Sequence, residues 1–233
     1  MSVISVEDLT VGYGPQPVQS GSCAQIGEAE IFAIVGDSGS GKSTLLRTMI
    51  GLMAPQGGRV VFHGASSFGV LFQNGALWSS MTVLENVTLP MDLQGDVPPA
   101  ARRALARFKL ALVGLEGAEN HYPASLSGGM RKRAGLARAL ALDPAVLFLD
   151  EPSAGLDPLA SRRLDELVLS LRDGLGVTVV LVTHELESLY RIADRMLFLD
   201  GEAHRPAALG APAELARSAE SAKVRDFLSR AAQ

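Results

Sequence analysis

Cysteine is nearly absent from this 233-residue chain, whose only thiol is Cys23. A single cysteine cannot form an internal disulfide, which suits a reducing compartment. Long apolar runs are missing as well, since the longest, 145–149 and 177–182, are far shorter than the roughly 20 residues of a membrane-spanning helix. Residues 1–8 lack the basic start and apolar stretch of an export signal. We therefore expect a cytosolic chain that does not cross a membrane by itself.

An excess of positive charge is also missing, because 21 basic side chains stand against 25 acidic ones. Non-specific nucleic-acid binding requires a broad basic surface, so no nucleic-acid partner is expected. Hydrophobic residues make up 47% of the chain, which excludes disorder and is enough for the core of a single domain. Lysine is rare among the cations, and this draws attention to Lys42, which lies in a glycine-rich stretch.

Short apolar runs alternate with stretches of helical periodicity, which predicts an α/β fold with a mostly parallel sheet. Three continuous apolar runs, 31–35, 145–149 and 177–182, are predicted strands that are buried on both faces. Two more runs, 59–63 and 196–199, lead into glycine turns and are predicted strands of an antiparallel edge.

Helices are predicted between these strands. Thr82 and Glu85 form a capping box, so a helix should begin there. Residues 74–143 contain no predicted strand and are expected to be a helical insertion, which leaves 1–73 and 144–233 as the α/β core of one domain, 1–233. The other predicted helices are 41–50, 98–112, 129–142 and 158–171, and a short tail carries an amphipathic face of Val224, Phe227 and Leu228.

A glycine-rich loop between a predicted strand and helix matches the phosphate-binding pattern G-x-x-x-x-G-K-[ST]. Glycines let the backbone turn so that successive N–H groups and the helix N-terminus point at phosphate oxygens. Lys42 would supply charge to the β- and γ-phosphates, and the Ser43 hydroxyl would be a ligand of Mg²⁺. An incidental glycine-rich turn is the alternative. The loop consists of Gly36, Asp37, Ser38, Gly39, Ser40, Gly41, Lys42, Ser43 and Thr44.

Two carboxylates, Asp150 and Glu151, follow the predicted strand 145–149. Ligands of open α/β sheets bind at the carboxyl ends of strands. Asp150 is therefore predicted to hold Mg²⁺ through water, and Glu151 to orient or deprotonate the attacking water. His184 follows the next long strand and is predicted to contact the γ-phosphate. A loop-initiating role for Glu151 and a structural role for His184 are the alternatives.

A second anion-binding site is predicted at the signature segment, 126–130, which reads Leu-Ser-Gly-Gly-Met at a helix start. Its donors would be Ser127 and the backbone of Gly129. With the loop at 36–44, the carboxylate pair and His184, this ordered set resembles the ATP-binding-cassette (ABC) ATPases over essentially the whole chain. The resemblance implies an ABC nucleotide-binding domain with a RecA-like, mostly parallel core, a small antiparallel layer and a helical subdomain. It also implies hydrolysis of ATP with Mg²⁺.

The same resemblance assigns roles to further residues. Tyr13 would stack on adenine, with an edge-strand aromatic as the alternative. Gln73 would reach Mg²⁺ or the water while sensing the transport partner, and Asp157 would cross the interface of an ATP-dependent, head-to-tail homodimer. In that dimer two ATP molecules lie between the phosphate loop of one subunit and the signature residues of the other, Ser127, Gly128 and Gly129.

Three cations, Arg131, Lys132 and Arg133, follow at the positive end of the predicted signature helix. Each costs roughly 0.3 to 1 kcal/mol there unless something compensates it. We expect either a facing anion or partner surface, or side chains that point into water.

A narrower resemblance links residues 71–87 and 126–139 to the ATPase subunits of Mla-type, MCE-associated lipid transporters. Its markers are a Gly-Ala-Leu-aromatic run at 75–78 and Met130, where general importers usually carry glutamine. The resemblance implies an integral-membrane permease and a periplasmic MCE-type lipid carrier as partners. It also implies a peripheral location on the cytoplasmic face of the inner membrane.

Three large apolar residues, Leu77, Trp78 and Met81, occupy a predicted loop and would line a groove for a permease helix. Packing within the helical insertion is the alternative. Two other functions stay open. One is another transport branch, such as an amino-acid importer or a lipoprotein extractor, and the other is a non-transport ABC regulator.

Overall fold

The computed structural model of the chain describes residues 1–64, 67–94 and 97–229. Its strands are β1 (Ser2–Val11), β2 (Gln19–Gly27), β3 (Ile31–Gly36), β4 (Gly57–Phe62), β5 (Phe68–Leu71), β6 (Val146–Asp150), β7 (Thr178–Val182), β8 (Arg195–Asp200) and β9 (Arg205–Gly210). Its α-helices are α1 (Lys42–Met49), α2 (Val83–Gln94), α3 (Pro99–Leu112), α4 (Gly128–Ala139), α5 (Pro158–Leu175), α6 (Leu186–Ile192), α7 (Pro212–Ser218) and α8 (Ala222–Ser229). The chain separates into two compact units, unit 1 (Met1–Ser66 and Leu169–Gln233) and unit 2 (Ser67–Val168). The predicted division into an α/β core, residues 1–73 and 144–233, and a helical insertion, residues 74–143, stays a prediction.

Unit 1 contains a three-stranded antiparallel sheet in the order β2-β1-β4. The strand predicted at 59–63 is confirmed as β4. The polar segment that forms β2 was not predicted as a strand, yet its burial alternates along Ser22, Ala24 and Ile26, which are buried, and Cys23 and Gln25, which are exposed. Pairing with the apolar β1 therefore overrides the weak strand propensity of the β2 sequence.

The second sheet of unit 1 runs in the order β7-β3-β8-β9. Every residue of β3 is buried, and the strand is parallel to both β7 and β8, as its continuous apolar run predicted. The prediction of residues 196–199 as a strand of an antiparallel edge is confirmed in part, because they form an antiparallel hairpin with β9 at the edge of the sheet, but β9 and not this strand is outermost. They form β8, which pairs with β3 on one side and with the antiparallel β9 on the other. The sequence of β9, with Arg205, Pro206 and small alanines, carries too little apolar pattern to be recognised as a strand.

The tail of unit 1 packs against the sheet through an apolar cluster. Val224, Phe227 and Leu228, on α8, are buried against Met196 and Phe198 of β8, which confirms the predicted amphipathic face. The rings of Phe198 and Phe227 meet edge to face at 5.2 Å between centroids. Burying one such aromatic side chain stabilises the fold by about 1.5 to 3 kcal/mol, so α8 is firmly attached to β8.

Unit 2 consists of the parallel pair β5–β6 and the helices α2, α3 and α4, with the start of α5. No strand occurs between residues 74 and 143 in the part of the chain that the structure describes, as predicted. The capping box at the start of α2 is confirmed, because Thr82 N donates to Glu85 Oε2 (2.7 Å) and Glu85 N donates to Thr82 Oγ1 (3.2 Å). The helix α4 lies so close to β5 that a Cβ at Gly69 would be 2.1 Å from the Ala139 carbonyl oxygen.

Two helix ends differ from the prediction. The signature helix α4 ends at Ala139 and not at residue 142, because the chain continues in tighter turns, in which Ala141 N donates to the Arg138 carbonyl oxygen (3.2 Å) and Asp143 N to that of Leu140 (3.1 Å). The helix predicted at 158–171 continues to Leu175 and ends before Gly176, whose φ is 68°. Among the described residues, no helix combines the length and hydrophobicity needed to cross a bilayer.

Candidate active site

The phosphate loop joins β3 to α1, which is the strand–loop–helix context that its sequence pattern requires. Gly36 has a φ of 147°, and a Cβ there would lie 2.3 Å from the Leu199 carbonyl oxygen. Gly41 has a φ of 94°, and a Cβ would lie 2.8 Å from Val18 Cγ1. Any other residue at these two positions would clash and strain the backbone, so the glycines permit the tight turn.

The Lys42 side chain is buried inside this loop. Its ammonium donates to the carbonyl oxygens of Gly36 (2.9 Å) and Asp37 (2.8 Å). On the outer side, Ser38 and Gly39 are exposed, and a Cβ at Gly39 would meet no atom within 4 Å. A fixed positive charge, open space and the N-terminus of α1 together fit the phosphate chain of a nucleotide.

A buried glutamine that the sequence analysis missed holds the phosphate loop from β2. Gln19 Nε2 donates to the carbonyl oxygens of Ser40 and Asp200, each at 2.8 Å. No pattern in the sequence marks Gln19, because it lies in a polar segment that was not predicted as a strand. The position of Ser40 in the loop is therefore tied to both β2 and the end of β8.

A second contact missed in the sequence comes from α8. Lys223 Nζ lies 2.8 Å from Asp200 Oδ1, 3.3 Å from Asp37 Oδ2 and 3.6 Å from Glu202 Oε1. The hydrogen bond to Asp200 is the main reason that the pKa of Lys223 is raised, and the same bond lowers the pKa of Asp200. The tail helix thus holds one residue of the phosphate loop, Asp37, by an ion pair.

Tyr13 lies in the loop after β1, which ends at Val11, so its alternative as an edge-strand aromatic is wrong. The side chain is 60% exposed. A hydrogen bond with the Thr44 side chain is the main cause of the lowered pKa of Tyr13, and the Arg47 guanidinium contributes to it. Tyr13 is therefore placed beside the first turns of α1, with an exposed ring that a purine could stack on.

His184 follows β7 by two residues and is exposed. Because β3 and β7 are parallel neighbours, with Ile34 paired to Val182, both strands end at the same edge of the sheet. His184 and the phosphate loop therefore follow the carboxyl ends of two neighbouring strands, at the same edge of the sheet. A contact between His184 and the γ-phosphate stays a prediction.

In unit 2, Asp150 is buried at the end of β6 and Glu151 follows it with a positive φ of 47°. The structure joins two of the predicted catalytic residues, because Gln73 Nε2 donates to Glu151 Oε2 at 2.9 Å. A left-handed backbone at a glutamate is uncommon and costs of order 1 to 3 kcal/mol, so surrounding contacts must hold Glu151 there.

The three cations of α4 have different surroundings, so the expectation of side chains that point into water agrees with Arg131 but is wrong for Lys132 and Arg133. Arg131 is exposed, but Lys132 is buried and donates to the carbonyl oxygens of Gln73 and Glu151. Arg133 donates to the carbonyl oxygens of Val113 (3.3 Å) and Gly114 (2.9 Å), and its burial is the main reason that its pKa is lowered. Carbonyl oxygens of their own unit thus contact Lys132 and Arg133.

The signature segment opens α4 as predicted. Ser127 is the N-cap residue, and its Oγ accepts a hydrogen bond from Met130 N at 3.2 Å. Ser127, Gly128 and Gly129 border a cavity of about 310 Å³, which Asp157 and Arg163 also line. A helix N-terminus and a guanidinium at one cavity make it suitable for an anion.

Asp157 has a structural function that the sequence analysis did not foresee. Its carboxylate accepts a hydrogen bond from Ala160 N at 2.9 Å and so caps α5. The side chain is exposed on the rim of the cavity beside the signature segment. Its predicted place in a dimer interface stays a prediction.

The loop before α2 contains the three apolar residues that were predicted to line a groove for a permease helix, and one of the three is exposed. Trp78 is 58% exposed, whereas Leu77 and Met81 are half-buried. Asn86 fixes this loop from α2, since its side chain is fully buried and hydrogen-bonds to both backbone atoms of Trp78. The alternative of packing within the helical insertion therefore does not apply to the Trp78 ring, which mostly faces solvent.

The residues assigned to Mg²⁺ offer oxygen donors of the expected kind. No group of three or more His, Cys, Asp or Glu side chains suited to a metal ion occurs among the described residues. Mg²⁺ in nucleotide-binding proteins is usually held by one or two protein oxygens together with phosphate oxygens. Ser43, Asp150 and Gln73 each carry an oxygen atom of a kind that Mg²⁺ accepts as a ligand, and their joint binding of one ion stays a prediction.

Comparison with known proteins identifies relatives over most of the chain. The ABC transporter family model matches residues 21–154, which is more than half of the chain. The probable ribonucleotide transport ATP-binding protein mkl of Mycobacterium tuberculosis is 35% identical over 240 residues, covering 97% of this chain and 66% of that protein. The methionine import ATP-binding protein MetN of Mesorhizobium japonicum is 40% identical over 212 residues, covering 85% of this chain and 58% of that protein. The chain thus spans less than two thirds of the length of these two relatives.

Solved structures are similar over nearly the whole chain. The protein cbiO1 from Clostridium perfringens, part of the ABC transporter complex cbiONQ, has a TM-score of 0.82 and 28% identity, covering 92% of this chain and 90% of that chain. The ATP-binding cassette MJ0796, as a dimer in a post-hydrolysis state bound to ADP and Pi, has a TM-score of 0.80 and 29% identity, covering 89% of this chain and 98% of that chain. The predicted fold is confirmed by these structures. The chain therefore belongs to the ABC transporter family, and it is an ABC ATPase domain.

Proposed function

We propose that this chain hydrolyses ATP as the energy-supplying subunit of a membrane transporter. The observation that carries the proposal is the buried Lys42 ammonium inside a glycine loop at the N-terminus of α1. That arrangement places a fixed positive charge and a helix dipole where a triphosphate would bind. ATP hydrolysis is the reaction expected of an ABC ATPase domain.

In the proposed reaction, Lys42 binds the β- and γ-phosphates and Tyr13 stacks on the adenine ring. Ser43, Asp150 and Gln73 would hold Mg²⁺, which would neutralise charge on the phosphate oxygens. Glu151 accepts a proton from the attacking water, or orients it, and the Gln73 amide donates to its carboxylate. His184 donates a hydrogen bond to the γ-phosphate.

We propose further that hydrolysis requires two copies of the chain arranged head to tail. The N-terminus of α4, with Ser127, Gly128 and Gly129, would bind the ATP held by the phosphate loop of the other copy. Asp157, on the rim of the same cavity, would lie at the interface. The dimeric structures of the related cassette MJ0796 support the need for two copies.

Phosphate release measured against protein concentration tests both statements. If each site needs two chains, the rate per chain should rise with concentration until the dimer predominates, and it should depend on Mg²⁺. No phosphate release at any concentration would contradict the ATPase function. A rate per chain that stays constant while light scattering reports a monomer would contradict the dimer alone.

For the cargo, we propose a lipid of the Mla-type systems. The support is the sequence at 71–87 and Met130, together with the exposed Trp78 in a loop held by Asn86. The partners would be an integral-membrane permease and an MCE-type lipid carrier, with the chain bound at the cytoplasmic face of the membrane. Import of a small solute is the second candidate, because the relatives are named for ribonucleotide transport and methionine import.

Reconstitution separates these cargoes. The chain would be purified with its permease from native membranes and placed in vesicles loaded with ATP. Transfer of a fluorescent phospholipid between vesicles, dependent on ATP, would support lipid transport. ATP-dependent uptake of radiolabelled methionine or of a ribonucleotide, without lipid transfer, would contradict it and support solute import.

A further inference from the structure

The glutamine loop, residues 73–76, lies along one face of the signature helix α4. A Cβ at Gly135 would be 3.0 Å from the Gly75 carbonyl oxygen, so helix and loop touch without room for a side chain. One turn further, the Arg138 guanidinium donates to the carbonyl oxygens of Gly75 (3.1 Å) and Ala76 (2.6 Å). Residues three positions apart share a helix face, so these contacts form one continuous line.

Lys132 lies one turn before Gly135 on that face. Its side chain is 6% exposed, and its ammonium donates to the carbonyl oxygens of Gln73 and of Glu151, the latter at 3.1 Å. The side chains of the same two residues are hydrogen-bonded to each other at 2.9 Å. One buried ammonium therefore bridges the backbones of a pair whose side chains also meet.

Glu151 needs such support, because its positive φ of 47° is disfavoured for a residue with a side chain. A lysine ammonium carries three N–H groups and can donate to two carbonyl oxygens at once, whereas an apolar side chain of the same length cannot. The contact of Lys132 with the Glu151 carbonyl thus fixes the peptide from which the carboxylate extends.

We propose that Lys132 is a positioning residue for ATP hydrolysis, which holds the backbones of Gln73 and Glu151 on α4 so that the Glu151 carboxylate stays directed at the attacking water. This inference rests on the proposed ATPase function. It makes α4 the common support of the signature segment, the glutamine loop and Glu151. A movement of the signature helix would then displace Glu151 through the Lys132 side chain.

The test compares Lys132→Met with two further variants. Lys132→Arg retains a cation that can donate to both carbonyl oxygens. Lys109→Met is the matched control, because Lys109 is also a buried lysine of unit 2, 3% exposed, but its ammonium pairs with the Asp143 carboxylate. Steady-state ATP hydrolysis, ATP affinity and hydrogen–deuterium exchange of peptides covering 72–76 and 150–154 are measured for all three.

Lys132→Met should lower kcat by about 10- to 100-fold with KM for ATP changed less than about threefold, because a small displacement of the base slows the reaction without weakening binding. Exchange in both peptides should increase. Lys132→Arg should recover most of kcat, and Lys109→Met should leave kcat and both peptides unchanged even if it lowers the melting temperature.

Two results would overturn the inference. One is wild-type kcat in a folded Lys132→Met protein, and the other is unchanged exchange in both peptides. If the wild-type chain itself releases no phosphate, the ATPase function fails, but the exchange measurement still decides whether Lys132 holds the two backbones.

Discussion

Replacing Asn86 by leucine should loosen the loop that carries Trp78 and destabilise the protein. The Asn86 side chain is fully buried in α2. Its Oδ1 accepts from Trp78 N (2.8 Å), and its Nδ2 donates to the carbonyl oxygens of Trp78 (3.1 Å), Met81 (3.2 Å) and Thr82 (2.9 Å). Leucine has nearly the same size but can make none of these hydrogen bonds.

The expected loss of stability follows from those contacts. A typical hydrogen bond contributes about 1 kcal/mol, and a donor such as Trp78 N that faces an apolar side chain in place of its acceptor costs about 1 to 3 kcal/mol. Because the carbonyl oxygens of an exposed loop can bind water instead, we expect a total of about 2 to 4 kcal/mol. For a chain of this size, 3 kcal/mol corresponds to a decrease in melting temperature of roughly 6 to 12 °C.

Differential scanning calorimetry measures this decrease, with Thr88→Val as the matched control. Thr88 is on the same helix and donates a single hydrogen bond to the Glu85 carbonyl oxygen, at 3.1 Å, within its own turn. Its replacement should cost about 1 kcal/mol or less. Equal melting temperatures for Asn86→Leu and Thr88→Val would refute the reasoning, because the loop would then not depend on Asn86.

Three further predictions concern the phosphate chemistry and the tail. Glu151→Gln should lower ATP turnover by roughly 10² to 10⁴ and leave ATP affinity unchanged, since it removes a base but no phosphate contact; wild-type turnover would exclude Glu151 as the base. Lys42→Ala should weaken binding of a fluorescent ATP analogue by about 10- to 100-fold, the usual contribution of a charged hydrogen bond; unchanged affinity would contradict its role. Lys223→Met should lower the melting temperature at pH 7, because the lowered pKa of Asp200 and the raised pKa of Lys223 both reflect mainly their mutual hydrogen bond. That difference should disappear as the pH falls through the lowered pKa of Asp200 or rises through the raised pKa of Lys223, and a difference independent of pH would contradict the ion pair.

The central strands were predictable because their chemistry is local. Apolar runs of five or six residues, as in β3, β6 and β7, are typical of strands that are buried on both faces of a parallel sheet. The Thr82–Glu85 capping box and the start of α4 at the signature segment were predictable for the same reason, since each depends on residues within one helical turn.

The other elements depend on distant partners and left no local pattern. The strand β2 forms because β1 pairs with it, although its sequence is polar. The position of β8 as an inner strand depends on β9, whose alanines and proline do not predict a strand. The helix α4 was predicted three residues too long, because Pro144 marks where a helix must stop but not the tighter turns that precede it.

Part of the candidate site was equally hidden in the sequence. The phosphate loop and the acidic pair carry motifs, but the functions of Gln19, Lys132 and Lys223 depend on carbonyl oxygens and carboxylates brought close by folding. A glutamine in a polar strand and a lysine beside two arginines look like surface residues. In the structure, Gln19 and Lys132 differ from surface residues because they are buried, and the sequence alone does not show this.

The pairing of β3 has a consequence for synthesis of the protein. Its partners β7 and β8 begin roughly 150 residues later in the chain, so these contacts have high sequence separation. During translation the glycine-rich turn leaves the ribosome long before either neighbouring strand exists. A nascent chain should therefore gain its affinity for nucleotide late, once residue 199 has emerged and can pair with Gly36.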